Sequence, residues 1–169
     1  MIKQTLIFLA TVLAGFVVSG CASFEEGSRQ NVQVLSYPSG ANLFVNGAPM
    51  GTTPATLSLP RKIAHEVRLE KPGYATAIDY FKPVPNTKGE SFLRFGLEED
   101  LGHYVDLQPR SMQLQLRSEL VPHSTGADPF KTMAEHTREA DRQLEAGNIT
   151  AEEHKYIIEQ IIAFFEAQG

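Results

Sequence analysis

The stretch Tyr37–Pro54, YPSGANLFVNGAPMGTTP, places glycines and prolines around one short apolar run. Its Asn46-Gly47 pair is typical of a two-residue β-hairpin turn, because both central residues of a type I′ turn need positive φ. A phosphate-binding loop is the alternative for a glycine-rich stretch. However, Gly47–Thr53 has three residues between its glycines, no lysine, and a proline that lacks an N–H donor. The stretch therefore predicts the turns of a small antiparallel sheet.

Alternating apolar residues continue on both sides of this stretch. Successive side chains of a strand point to opposite faces of a sheet, so this alternation indicates half-buried strands. Pro72-Gly73 suits a type II turn, since proline fixes φ and glycine takes the positive-φ position, and Pro38-Ser39-Gly40 suits a similar turn. The pairs that border the predicted strands are Val32/Val34, Leu43/Val45, Leu57/Leu59, Val67/Leu69 and Tyr80/Lys82.

Four landmarks in this region resemble the PEGA family, short all-β modules of bacterial and archaeal envelope and surface proteins. They are Pro38-Ser39-Gly40-Ala41, Phe44-Val45-Asn46-Gly47, Gly51-Thr52-Thr53-Pro54 and Pro72-Gly73-Tyr74. Ser39 replaces the glutamate that names the motif, and Arg61-Lys62 stand where a glycine turn is usual. The resemblance implies a non-catalytic interaction or architectural module at residues 31–83. It also implies that five residues shape turns: Gly40, Gly47, Gly51, Pro54 and Gly73.

The N-terminus has the layout of an export signal. Lys3 precedes an apolar run that ends at Val18 and is shorter than the ~20 apolar residues that span a bilayer. Val18, Ser19, Gly20 and Cys21 resemble a bacterial lipobox, in which the cysteine sulfur takes a diacylglyceryl group. We therefore predict a signal peptide at residues 1–20 and lipidation of Cys21, with acyl chains such as palmitate. The alternative is a plain secreted protein with a stray buried cysteine.

Lipidation of Cys21 would determine where the protein resides. Two or more acyl chains anchor a protein stably, at ~0.8 kcal/mol per buried methylene. Residues 21–30 are small and polar and would tether the lipid to the fold. Because Cys21 is the only cysteine, no internal disulfide is expected. In a Gram-negative host, Ala22 after the cysteine resembles the sorting pattern for the outer membrane, with the protein facing the periplasm.

The charge of the chain argues against nucleic acid as a partner. The formal net charge is −5, from 15 Lys and Arg against 20 Asp and Glu. Binding to nucleic acid rests on cationic contacts to phosphates, and the sequence contains no cluster of cations. Electrostatic docking on anionic lipid is not expected for the same reason.

The β pattern extends through residues 84–121. Ser91–Gly96, Tyr104–Leu107 and Met112–Arg117 predict two or three further strands, and the last alternates apolar and polar residues. The acidic run Glu98–Asp100 is interpreted as a solvated loop. Calcium binding is the alternative, but it requires more oxygen ligands at set spacing.

A helical pattern follows a breaker-rich linker at residues 122–127. Asp128 and Pro129 suit the start of a helix, and Gly147 suits its end. Thr150 and Glu153 have the spacing of a capping box for a second helix, so residues 128–169 predict a helical hairpin. The face of the first helix comprises Phe130, Met133, Thr137, Ala140 and Leu144.

Residues 147–153 also resemble the core of the short C-terminal SHOCT motif, Gly-x-Ile-Thr-x-Glu-Glu. That resemblance implies helical ends that mediate oligomerisation. The second helix carries an aliphatic stripe that the first cannot cover: Ile157, Ile158, Ile161, Ile162 and Phe165. Two interpretations remain open. The stripe packs on the sheet, or it forms a docking or self-association surface, because uncovered apolar patches mark interfaces.

The sequence offers no catalytic constellation. It has no Gly-x-Ser-x-Gly nucleophile motif, and its single thiol is assigned to the lipid. The histidines lack the i+3 or i+4 spacing of zinc ligands; they are His65, His103, His123, His136 and His154. We therefore predict no enzyme activity, no metal and no cofactor, with an envelope hydrolase as a remote alternative.

Together these features predict an α+β protein, with a small antiparallel sheet or sandwich module, a strand extension and a C-terminal helical hairpin. The predicted function is that of a non-enzymatic, lipid-anchored interaction or architectural module of the cell envelope. Its expected partner is an envelope protein or the cell wall. The alternative is an accessory lipoprotein of an envelope assembly that docks or forms homo-oligomers through its C-terminal helices.

Overall fold

A computed structural model describes residues 28–87 and 102–168. The predicted signal peptide, the lipobox with Cys21 and most of the tether lie outside the described residues. So do the predicted strand Ser91–Gly96 and the acidic run Glu98–Asp100.

Eight strands and two helices are formed within the described ranges. The strands are β1 (Arg29–Tyr37), β2 (Asn42–Val45), β3 (Ala48–Thr52), β4 (Ala55–Pro60), β5 (His65–Glu70), β6 (Ala77–Pro85), β7 (Val105–Gln108) and β8 (Ser111–Gln115). The helices are α1 (Pro129–Glu145) and α2 (Ala151–Glu166). A three-stranded sheet has the order β4-β1-β8, and a five-stranded sheet has the order β3-β2-β5-β6-β7. The predicted α+β class is confirmed.

The turn at Asn46-Gly47 joins β2 to β3. Both residues have positive φ, 50° and 82°, as a type I′ turn requires, and Val45 pairs with Ala48 across it. β3 was not predicted from the sequence, because its residues are all exposed and show no alternation of buried and exposed positions. β3 contains Pro49 and lies at the edge of its sheet. Proline is tolerated there because an edge strand has N–H positions that face away from the sheet.

The chain divides into two compact units. The described residues of unit 1 are 28–33, 56–65, 80–87 and 102–112. Within this unit β6 pairs with β7 in antiparallel register, Lys82 opposite Gln108 and Pro85 opposite Val105. The apolar side chains buried in unit 1 are Val32, Leu57, Leu59, Phe81, Leu107 and Met112.

The described residues of unit 2 are 34–55, 66–79 and 113–168. This unit contains the β2–β3 hairpin and both helices. Its buried strand residues include Val34, Leu43, Val45, Val67 and Leu69. A further cluster joins the helices to the segment that precedes them and comprises Val121, Ala140, Ile157 and Ile161.

The ends of both helices follow the predicted capping chemistry. The Asp128 side chain accepts a hydrogen bond from the Lys131 N–H at 3.1 Å. The capping box of α2 is confirmed, since the Glu153 N–H donates to Thr150 Oγ1 at 3.2 Å and the Thr150 N–H donates to Glu153 Oε2 at 2.9 Å. Of the helices in the described part of the chain, none is long and apolar enough to cross a membrane.

Candidate functional site

The glycines predicted to shape turns adopt backbone conformations that favour glycine. Gly40, Gly47, Gly51 and Gly73 have φ of 78°, 82°, 105° and 77°. A Cβ atom at Gly47, Gly51 or Gly73 would meet nothing within 4 Å, so the backbone angle and not crowding requires glycine. Pro54, the proline predicted to shape a turn, is exposed and directly precedes β4.

Thr53 holds the turn at Gly40 through hydrogen bonds, and the sequence did not predict this role for it. It is only 3% exposed. Its hydroxyl accepts from the Ala41 N–H at 3.0 Å, and its carbonyl accepts from the Gly40 N–H at 2.9 Å. The N–H groups of Gly40 and Ala41 therefore already have protein partners in this turn.

The order of these turns along the chain is shared with a known family. Residues 29–95 match the PEGA domain. The match covers less than half of the chain and includes all four landmarks named above. The PEGA domain is not known as a catalytic domain and is regarded as a binding or architectural module. No curated protein and no solved structure matches the chain.

The region that matches the PEGA domain contacts α2 in unit 2 at Lys71. Its ammonium donates to the Ser39 carbonyl at 3.1 Å and pairs with Glu153 Oε1, also at 3.1 Å. Partial burial opposes ionisation of Glu153, but hydrogen bonds from Thr150 and the charge and hydrogen bond of Lys71 outweigh it and lower the pKa of this carboxyl. One carboxylate thus caps α2 and holds it to the PEGA-matching region.

A second contact joins α2 to the segment after β8 and uses side chains that pair with backbone groups. Gln160 accepts from the Ser118 N–H and donates to the Leu116 carbonyl, both at 2.9 Å. The Tyr156 hydroxyl donates to the same carbonyl at 3.1 Å. Tyr156 also packs edge-on against Tyr37, with ring centroids 4.6 Å apart. These contacts fix one face of α2 against the end of β1 and the segment after β8.

The aliphatic stripe of α2 is divided between core and surface. Ile157 and Ile161 are buried in the helical cluster and are not available to a partner. Ile158 and Phe165 are partly buried and pack against that cluster. Ile162 remains 38% exposed. The stripe thus packs mainly within unit 2, and only its outer part remains accessible.

Phe130 departs from the predicted face of α1. Met133 and Ala140 pack in the helical cluster, whereas Phe130 is 86% exposed. Phe130 lies in the first turn of the helix, one turn before the residues that reach the cluster. Phe130 is the most exposed of the described large apolar side chains. A phenylalanine ring in water does not gain the free energy that burial would provide.

Tyr74, within the PEGA-matching region, is a buried polar residue with an unusual environment. It is 5% exposed, and its hydroxyl has no hydrogen-bond partner among the described residues. Burial, followed by the nearby charge of Glu153, raises the pKa of Tyr74 far above its usual range. The hydroxyl therefore stays neutral and offers no base or nucleophile at physiological pH.

The histidines of the described chain take structural roles where they have partners. His65 bonds the Pro60 carbonyl at 2.8 Å, His136 bonds the Leu120 carbonyl at 2.6 Å, and His154 pairs with Asp141 at 2.8 Å. His123 is exposed. No group of three His, Cys, Asp or Glu side chains within residues 28–87 and 102–168 has the geometry to hold a metal ion.

Unit 1 contains a polar pocket of about 490 Å³. Two arginines from different parts of the chain share one carboxylate there. Arg61 Nη1 donates to Asp106 Oδ1, and Arg110 Nη2 donates to Asp106 Oδ2 at 3.0 Å. The remaining lining residues are uncharged polar side chains and one histidine: Gln30, Asn31, Asn86, Thr87 and His103.

Proposed function

We propose that this chain is a non-enzymatic, lipid-anchored cell-envelope protein that serves as an interaction or architectural module. The observation that carries the proposal is the PEGA match at residues 29–95. The hydrogen-bonded turns around Thr53 support it, because the backbone groups of Gly40 and Ala41 and the Thr53 hydroxyl are used to hold the turns together. The lipobox-like residues Val18–Cys21 support the anchor.

Metabolic labelling with an alkyne fatty acid tests the anchor. The unchanged protein should carry the label and extract from membranes only with detergent. Cys21→Ser should lose the label, because serine does not supply the sulfur that accepts the diacylglyceryl group. Ser23→Ala, two residues further along the tether, is the matched control and should keep the label. A labelled Cys21→Ser protein would overturn the anchor.

The module function is tested by sedimentation with the cell wall. The full chain, solubilised in detergent, is mixed with purified cell wall and with cell wall from which proteins have been stripped. Co-sedimentation with both would identify the wall itself as the partner. Co-sedimentation with neither, together with no crosslinked envelope protein in intact cells, would contradict the interaction function.

A second candidate is an accessory lipoprotein that docks or self-associates through its helices. Two exposed apolar side chains of the hairpin, Phe130 and Ile162, favour it. The double variant Phe130→Ser and Ile162→Ser should abolish a crosslinked species in intact cells. The mass of that species distinguishes a homo-oligomer from a complex with another protein. Ile63→Ser is the control, since Ile63 is 54% exposed and belongs to unit 1. Equal loss in the control would reject the helices as the docking element.

A further inference from the structure

The pocket of unit 1 is rich in hydrogen-bond donors and has a small positive charge. Arg61 and Arg110 contribute two positive charges, and Asp106 is the one acid among the described residues that line the pocket. The formal balance of these three side chains is therefore a single positive charge, in a chain whose net charge is −5. This local balance suits a ligand with one negative charge.

Arg61 is held in position by the protein. Its Nε–H donates to the Arg29 carbonyl at 3.2 Å, while Nη1 donates to Asp106. Its side chain is 26% exposed, compared with 72% for Arg110. Among the described residues, Nη2 of Arg61 has no acceptor. An arginine fixed at two of its nitrogens presents its third in a defined direction, which reduces the entropy lost on binding.

Asp106 sits on a strand that is itself anchored. Gln30 is buried, and its amide pairs with both the N–H and the carbonyl of Leu107, each at 2.9 Å. On the other side β6 pairs with β7, with Val84 opposite Asp106. The carboxylate that orients both guanidinium groups is thus carried by a rigid element, and we regard Asp106 as a positioning residue.

We propose that this pocket binds a singly charged carboxylate, held by the guanidinium groups of Arg61 and Arg110. Guanidinium N–H groups form charge-assisted hydrogen bonds with carboxylate oxygens, and here Nη2 of Arg61 and the N–H groups of Arg110 that do not bind Asp106 would donate to the ligand. A phosphate monoester carries nearly two negative charges at neutral pH and fits the balance of the three side chains less well. The amide of Asn31 and the hydroxyl of Thr87 line the same pocket and suit a polar ligand body. The volume lies within the usual range of small-molecule sites.

Titration of the full chain in neutral detergent micelles tests the proposal. The probe is N-acetylglycine, which joins one carboxylate to one amide, and arginine Nε–H resonances are followed by NMR. Saturable shifts are expected for Arg61 and Arg110, with none for N-acetylglycinamide, its neutral analogue. Arg110→Gln should weaken binding about tenfold, since each charge-assisted hydrogen bond contributes on that scale. Arg138→Gln, an exposed arginine on α1, should leave it unchanged.

Three outcomes would overturn the proposal. The first is an equal response to the neutral analogue, and the second is tighter binding of inorganic phosphate than of N-acetylglycine. The third is undiminished binding in Arg110→Gln, whose exposed side chain makes misfolding a poor explanation for any change. Arg61→Lys keeps the positive charge and removes the fork, so it should bind the probe more weakly while retaining the wild-type spectrum elsewhere.

Discussion

Two glutamines in this chain use their side-chain amides to satisfy backbone groups within their own units. Gln30 pairs with both polar groups of Leu107 in unit 1, and Gln160 pairs with Leu116 and Ser118 in unit 2. A side-chain amide has one acceptor oxygen and two donor hydrogens. It can therefore pair with backbone N–H and carbonyl groups that no adjacent strand satisfies. Such contacts are invisible to hydrophobic periodicity, because the residue types are polar and the partners are distant in sequence.

Gln30→Met tests the value of this pairing. Methionine has a similar length and removes both hydrogen bonds, which leaves the N–H and carbonyl of buried Leu107 unsatisfied. We expect a loss of about 2 kcal/mol or more in the free energy of unfolding, measured by denaturant titration. Gln33→Met, on the exposed face of the same strand, is the control and should change stability by less than ~0.5 kcal/mol. Equal stability of the two variants would contradict this account.

Glu153 predicts a pH dependence with a defined sign. Its pKa in the folded protein is lowered, so the ionised carboxylate stabilises the fold at pH values above ~4.3, the usual value for an unfolded glutamate. That contribution is lost as the pH falls through the folded pKa. Glu153→Gln keeps a side chain able to complete the capping box and removes the charge. The variant should therefore be less stable than the wild type at pH 7.

The difference between the two proteins should be smaller at pH 3 than at pH 7, because the unfolded wild-type chain takes up a proton on Glu153 below about pH 4.3, whereas the folded protein takes it up only at a lower pH. Denaturant midpoints at both pH values measure it. Glu152→Gln, an exposed neighbour in the same helical turn, is the control for the general effect of removing a negative charge. A difference that stays constant between pH 7 and pH 3 would show that the charge of Glu153 is not responsible.

At the scale of elements, the capping box begins α2 and places Glu153 next to Lys71. Thr150→Ala should cost about 1 kcal/mol from the lost cap, because the Glu153 N–H loses its acceptor. Thr150→Ser retains the hydroxyl and should recover most of that loss. Thermal unfolding followed by circular dichroism measures both variants. If serine destabilises as much as alanine, the hydroxyl is not the relevant group.

Element prediction from the sequence succeeded where burial alternates and failed where it does not. β1 and β5 bury every second side chain over most of their length, and the sequence shows the same alternation. β3 is exposed throughout, so the hydrophobic pattern of the sequence does not predict its pairing with β2. The turn residues Asn46 and Gly47 were informative because their backbone angles restrict residue type.

At the scale of the whole molecule, the helical hairpin belongs to the same compact unit as much of the PEGA-matching region. Sequence periodicity identified the stripe of α2 but left open what covers it. Packing within unit 2 buries Ile157 and Ile161 in a cluster with Val121 and Ala140, which lie on other elements. Tyr37 and Tyr156, far apart in sequence, add a further contact of α2. The Arg61–Asp106–Arg110 pocket was not anticipated either, because its charged residues come from separate strands and turns.

Cleavage of the linker tests this integration. A protease site inserted at residues 123–127 of the full chain would separate the hairpin covalently from the rest. We expect the two fragments to elute together from a sizing column at micromolar concentration, because the buried contacts of α2 remain. Gln160→Ala with Tyr156→Ala should release the hairpin after cleavage. Separation of the wild-type fragments would show that the hairpin is held only by the linker.

The chain contains five tyrosines and no tryptophan. Tyr37 and Tyr156 form an edge-on pair in which one ring belongs to the end of β1 and the other to α2. Near-ultraviolet circular dichroism responds to fixed tertiary packing of aromatic rings. Departure of the helices would therefore be visible in the intrinsic spectrum of the unlabelled protein. The molecule carries its own optical reporter for the contact between its β and helical parts.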